Sequence, residues 1–73
     1  MHAKAKITLK DGTAAIFKAN DESSISDFLY ETVGEKLEES NRIPIFIEAS
    51  SWCCMACVGD TFDEEDFTIE IVE

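Results

Sequence analysis

The sequence has little of what catalytic, secreted and membrane proteins usually depend on. Its 73 residues include one histidine, one proline, three glycines and three cysteines. A single histidine with no second base gives no nucleophile–base pair, and three glycines form no phosphate-binding loop. No apolar run approaches the roughly 18 residues of a membrane span, and no hydrophobic signal segment follows the first residues. We therefore expect a cytoplasmic protein that is not an enzyme and needs no cofactor.

Basic residues are also scarce. Six Lys and Arg stand against sixteen Asp and Glu, which gives a formal net charge of −10 and a pI near 4.3. This charge repels phosphates, so it disfavours direct binding to nucleic acid or to an anionic membrane and favours a basic partner. Hydrophobic residues make up 45% of the chain, which is too many for a disordered acidic tail. The length supports one core, and we predict a single acidic domain over residues 1–73.

The three cysteines are crowded together at Cys53, Cys54 and Cys57. An odd number at such short spacing does not form a disulfide framework. The Trp-Cys-x-x-Cys motif of thioredoxin-like oxidoreductases would need a cysteine where Ala56 stands, so redox catalysis is not predicted. We expect buried thiols that pack as small hydrophobic side chains. The alternative is a thiol-ligated metal module, completed by His2 or by a second chain.

The first twenty residues predict a β-hairpin. Apolar residues alternate with lysine and threonine over 3–10, as in a half-buried strand. Asp11-Gly12 is typical of a two-residue type I′ turn, and residues 13–19 are expected to return as the second strand. This turn length places Ile16 on the core side of the sheet and Phe17 on the outer side.

The remainder of the chain predicts one helix and three further strands. A capping box at Ser24 and an amphipathic stripe predict a helix that ends near Ser40-Asn41. Alternation over 43–49 and an apolar run over 52–58 predict two strands, with a short loop or helical turn as the alternative for the second range. Residues 67–72 alternate again and close the order ββαβββ. We therefore predict a small α+β domain with one helix packed on a mostly antiparallel sheet.

The acidic residues are unevenly distributed. Residues 1–20 carry four lysines and one acid, a net charge of +3, whereas residues 21–73 carry two basic residues and fifteen acids, a net charge of −13. Acids recur every three to four residues along the predicted helix, and a second group forms a charged turn. The candidate partner-binding residues are Asp27, Glu31, Glu35, Glu38, Glu39, Asp63, Glu64, Glu65 and Asp66.

Like charges at this helical spacing destabilise a helix, so their presence indicates a use for the field. In its small size and strong acidity the chain is similar to inhibitors encoded by phages and mobile elements, including anti-CRISPR and DNA-mimic proteins. That resemblance favours a binding role over a catalytic one, and the array of carboxylates predicts an inhibitor that occupies a basic, nucleic-acid-binding surface of a partner protein. The alternative to such a binding role is that the acidic surface serves solubility alone. Two other functions remain open, a cysteine-ligated metal module and an accessory subunit of a larger complex.

Overall fold

The structure is a computed structural model that describes residues 3–42 and 44–73. Its elements, in chain order, are β1 (Lys4–Leu9), β2 (Ala14–Lys18), α1 (Glu22–Glu39), α2 (Ile45–Met55), β3 (Thr61–Asp63) and β4 (Phe67–Val72). The four strands form one antiparallel sheet in the order β2-β1-β4-β3. The predicted α+β class is confirmed, although the element order is ββααββ and two helices cover the sheet.

The core lies between one face of the sheet and the two helices. Strands β1 and β4 alternate strictly, so every second side chain points to this face. The buried apolar side chains, grouped by element, are Ala5 and Ile7 from β1, Ala19 after β2, Ile25, Leu29, Val33 and Leu37 from α1, Ala49 and Cys53 from α2, and Phe67, Ile69 and Ile71 from β4. The opposite face of the sheet is exposed and carries Lys4, Lys6 and Glu70.

The β-hairpin forms with a longer loop than the predicted two residues. The Leu9 N–H donates to the Thr13 carbonyl at 2.8 Å, which leaves three residues in the loop. Gly12 has φ of +95°, a conformation that glycine adopts without a steric penalty, and the Thr13 N–H is capped by the Asp11 carboxylate at 2.9 Å. The hairpin therefore follows the three-residue pattern with a glycine at positive φ.

The longer loop shifts the register by one residue and exchanges the two faces of β2. Ala5 pairs with Phe17 and Lys6 pairs with Ile16, so the predicted orientations of Ile16 and Phe17 were wrong. Ile16 is 59% exposed on the solvent face. Phe17 lies under α1, where its ring centroid is 5.2 Å from that of Phe28.

Helix α1 matches its predicted stripe, but it starts at Glu22, so the predicted capping box at Ser24 was wrong. Asp21 is the N-cap, and its carboxylate accepts the Ser24 N–H at 3.2 Å. The helix ends where Asn41 takes φ of +59°, and the Arg42 N–H donates to the Leu37 carbonyl. This is a Schellman ending, and it turns the chain back directly into α2.

The two strands predicted over 43–49 and 52–58 were wrong, because residues 45–55 form helix α2. For the second range the alternative is correct, since 52–55 are the last turn of that helix and 56–58 are a loop. Position 43 lies outside the described residues. A short apolar run satisfies both the strand and the helix period, so alternation alone does not distinguish them. Ala49 and Cys53, one helical turn apart, are buried together on the core side. Pro44 precedes the helix, where its missing N–H breaks no helical hydrogen bond.

Over residues 3–42 and 44–73, neither helix combines the length and the apolar composition that crossing a membrane requires.

The register of β2 makes a testable difference between its two largest side chains. Phe17→Ala should lower the free energy of unfolding by about 2 kcal/mol, because it removes the ring packed on Phe28. Ile16→Ala should change it by less than about 0.5 kcal/mol, since that side chain is mostly in solvent. Urea denaturation of both variants measures the two values, and a larger loss at Ile16 would contradict the register.

Candidate partner-binding surface

The five predicted acids of α1 lie together on the solvent side of the helix. This follows from the burial of the apolar stripe on the other side, and residues at helical spacing have Cβ atoms about 5–6 Å apart. All five are exposed: Asp27, Glu31, Glu35, Glu38 and Glu39. Every ion pair found among residues 3–42 and 44–73 involves Arg42, and none of these five acids takes part in one. The charge of this face, which we call the α1 acidic face, is therefore not neutralised by a contacting cation from the described residues.

An exposed aromatic side chain borders the α1 acidic face. Tyr30 is 62% exposed, and its ring meets the ring of Phe46 from α2 edge-on, with centroids 5.9 Å apart. A shallow open groove of about 290 Å³ lies beside it, over Gly34, because glycine has no side chain to fill that space. The groove is lined by Tyr30, Glu31, Thr32, Gly34, Glu35 and Glu38. The carboxylates thus lie beside the apolar contact between Tyr30 and Phe46. The sequence did not predict a binding role for Tyr30. The one signal for it is Gly34, one helical turn later, which leaves the tyrosine ring uncovered on that side.

Three of the four acids in the second predicted group, residues 63–66, make contacts within the chain, whereas Asp63 is the last residue of β3 and is exposed. Arg42 donates to Glu64 at 3.1 Å and to Asp66 at 3.0 Å, and it lies 3.6 Å from Glu65. Its Nε also donates to the Ser40 hydroxyl at 2.9 Å. Arg42 therefore ties the loop between the helices to the turn between β3 and β4. These three acids have a structural role that the sequence alone did not indicate.

The two predicted acidic groups meet at one end of the molecule, with cations between them. A shallow depression there is lined by Lys36, Glu39, Ser40, Arg42, Glu65 and Asp66. Both basic residues of the chain beyond position 20 thus lie at this end. The charge is mixed here, whereas Asp27, Glu31 and Glu35 lie nearer the start and middle of α1 and do not line this depression. Within the α1 acidic face, the acids outside the mixed end are therefore these three and Glu38.

The three cysteines have different environments. Cys53 is buried in the core, as predicted, and burial raises its pKa to about 11. Cys54 and Cys57 are exposed, so the prediction of burial was wrong for them. The Cys54 thiol lies 3.8 Å from the Glu22 carboxylate, and partial desolvation together with Glu22 raises its pKa.

Burial of Cys53 and exposure of Cys54 and Cys57 place the three thiols in different environments. No cluster of three or more His, Cys, Asp or Glu side chains suited to a metal ion is found within 3–42 and 44–73. The proposed additional ligand, His2, lies outside the described residues.

No protein-family model matches the chain, and neither curated proteins nor solved structures gave a match at a significant level. A functional assignment therefore rests on the geometry and charge of the described residues.

The contacts of Arg42 predict a salt-sensitive contribution to stability. Arg42→Ala should lower the free energy of unfolding by about 1–2 kcal/mol at low ionic strength, because three carboxylates lose their cation. The effect should shrink in about 1 M salt, which screens the remaining repulsion. Lys36→Ala is the matched control, since it removes the same charge from an exposed position that has no ion pair with the described residues. Equal effects of the two substitutions in urea denaturation would show that Arg42 has no special role.

The buried thiol predicts a loss of stability at alkaline pH. The thiol of Cys53 ionises near pH 9.0 in its ordinary state and near 11 in the fold. The unfolded chain therefore loses this proton first, and stability should fall as pH rises from about 9 to about 11. Cys53→Val keeps an apolar side chain of similar size without the titration, so its stability should decline less over this window. Identical slopes in urea denaturation of the two proteins would rule out a contribution from Cys53.

Proposed function

We propose that this chain is a non-enzymatic inhibitor that occupies a basic, nucleic-acid-binding surface of another protein, as DNA-mimic and anti-CRISPR proteins of phages and mobile elements do. The observation that carries the proposal is the α1 acidic face, with five exposed carboxylates and no cation from the described residues in contact with them. A basic partner surface would supply the missing countercharge.

The energetics of α1 favour such a partner. Each pair of like charges one helical turn apart destabilises the helix by a few tenths of a kcal/mol. Lys36 is the one basic residue of α1, so most of these repulsions have no compensating charge within the helix. Binding to a basic surface would relieve this repulsion, and it would speed association because complementary fields steer the encounter.

The fold also holds the charges in fixed positions. Helix α1 has 18 residues and is about 27 Å long. The buried side chains of Ile25, Leu29 and Leu37 anchor it to the sheet along most of that length. Carboxylates on a helix fixed in this way lose little backbone freedom on binding, which leaves more of the electrostatic attraction as affinity.

A charge-reversal variant tests the proposal. Glu31→Lys, Glu35→Lys and Glu38→Lys together should abolish capture of the partner from nuclease-treated host lysate, while the circular dichroism spectrum stays that of the native protein. The matched control carries Thr61→Lys, Thr68→Lys, Glu70→Lys and Glu73→Lys, which raises the net charge by the same six units at exposed positions of β3, β4 and the C-terminus, away from both helices. The control should still capture the partner.

The captured protein is then challenged with salt and with a 20-base-pair DNA duplex. The proposal expects a nucleic-acid-binding protein that is released by the duplex and whose binding weakens steeply with salt. A captured protein that ignores the duplex, or that binds the α1 variant as well as the native chain, would overturn it.

A further inference from the structure

The solvent side of α2 carries large apolar side chains beside the exposed carboxylate of Glu48. Ile47 is 56% exposed and Met55 is 78% exposed, and Val58 just beyond the helix is 56% exposed. The opposite side of α2 is held in the core by Ala49 and Cys53. Large apolar side chains left exposed near one another on a small protein are candidates for an interaction surface.

The exposed apolar residues of α2 form one stripe, which we call the α2 apolar stripe. Ile47 and Met55 are eight residues apart, so they lie two turns apart on the same side of the helix with Ser51 between them. Glu48 is the one charged residue in the range 45–58. In a chain of net charge −10, this range therefore contributes almost nothing to the negative field.

The α2 apolar stripe and the α1 acidic face lie beside each other. Tyr30 contacts Phe46 near the middle of α1, and the Ser51 hydroxyl donates to the Glu22 carboxylate at 3.3 Å near its start. The two helices thus run antiparallel and side by side on the sheet, with axes about 8–10 Å apart. Their solvent sides form one surface, with an acidic row on α1 and an apolar row on α2.

We propose that the surface formed by the solvent sides of α1 and α2, which we call the two-helix surface, binds a basic amphipathic helix of the partner protein. A helix with its side chains is about 10–12 Å across, which suits two rows at this spacing. Its apolar stripe would pack on Ile47, Met55 and the exposed ring of Tyr30, and its Lys and Arg side chains would reach the carboxylates of α1. This is the helix-in-groove mode of recognition, with charge selecting the orientation.

Charge argues against a second copy of this chain as the occupant. Two copies that joined through α2 would bring their two strongly acidic helices into the same neighbourhood, since α1 is adjacent to α2 in each. Repulsion between carboxylates would oppose that contact. A basic helix meets the apolar row and neutralises the acidic row at once. The inference rests on the proposed function only in taking the partner to be basic.

A synthetic peptide tests this geometry without the natural partner. The probe is an 18-residue peptide of leucine and lysine with leucine at helical spacing, and its control has the same composition in an order without that period. The amphipathic peptide should bind the native protein at least about tenfold more tightly than the control peptide in fluorescence anisotropy. Equal affinity for both would overturn the proposal, because charge alone would then explain the binding.

Substitutions in the protein separate the two rows. Ile47→Ala should weaken binding of the amphipathic peptide by about threefold to tenfold and leave its salt dependence unchanged. Ile16→Ala is the matched control, because Ile16 is equally exposed on the far side of the sheet, and it should have no effect. If the two variants bind the peptide equally, the α2 apolar stripe is not the contact.

Two further results separate this inference from the proposed function. Sedimentation that shows the native chain dimerising, with the dimer lost in Ile47→Ala, would assign the stripe to a second copy and overturn the proposal. If the peptides are distinguished as expected but the charge-reversed α1 variant still captures the natural partner, the proposed function fails and the two-helix surface still stands. If that variant loses the partner but the peptides bind alike, only the proposal for the two-helix surface fails.

Discussion

The packing of both helices on one face of a four-stranded sheet is the constraint on which the rest of this structure depends. A chain of 73 residues has material for one core, and here that core is filled by side chains such as Leu29 and Leu37 from α1 against Ile7 and Ile69 from the sheet. Each helix has a single buried side. Whatever stands on its other side is necessarily presented to solvent, and the two helices present very different surfaces.

The negative charge of the protein is divided by the fold into two parts. Arg42, in the loop between the helices, forms ion pairs with Glu64 and Asp66 and thereby joins the helical layer to the turn between β3 and β4. The acids of α1 are left without such a contact among the described residues. The part of the charge that the fold uses for its own cohesion is therefore distinct from the part that is available to a partner.

Helix α2 places exposed apolar side chains next to the α1 acidic face. A surface that served solubility alone would not need them. Trp52 and Phe62 pack together at 5.3 Å and connect α2 to the sheet edge, so part of its apolar surface serves the fold. Ile47 and Met55 do not, because they remain mostly in solvent. An exposed apolar row beside an acidic row is the composition that protein interfaces use, with anchors for affinity and charges for orientation.

The sequence by itself determined the α+β class, helix α1 with its acidic face, the hairpin and the last strand, because each depends on a local period or on turn chemistry. Local signals did not determine the register of β2, which one extra loop residue changes, and Phe17 is held inward by Phe28. They did not determine the state of residues 45–55, since an apolar run fits either period. Only the tertiary structure decided two contacts between distant residues. Tyr30 meets Phe46 because the chain reverses between α1 and α2. Arg42 meets the turn at 64–66 because the pairing of β3 with β4 brings that turn to the end of α1.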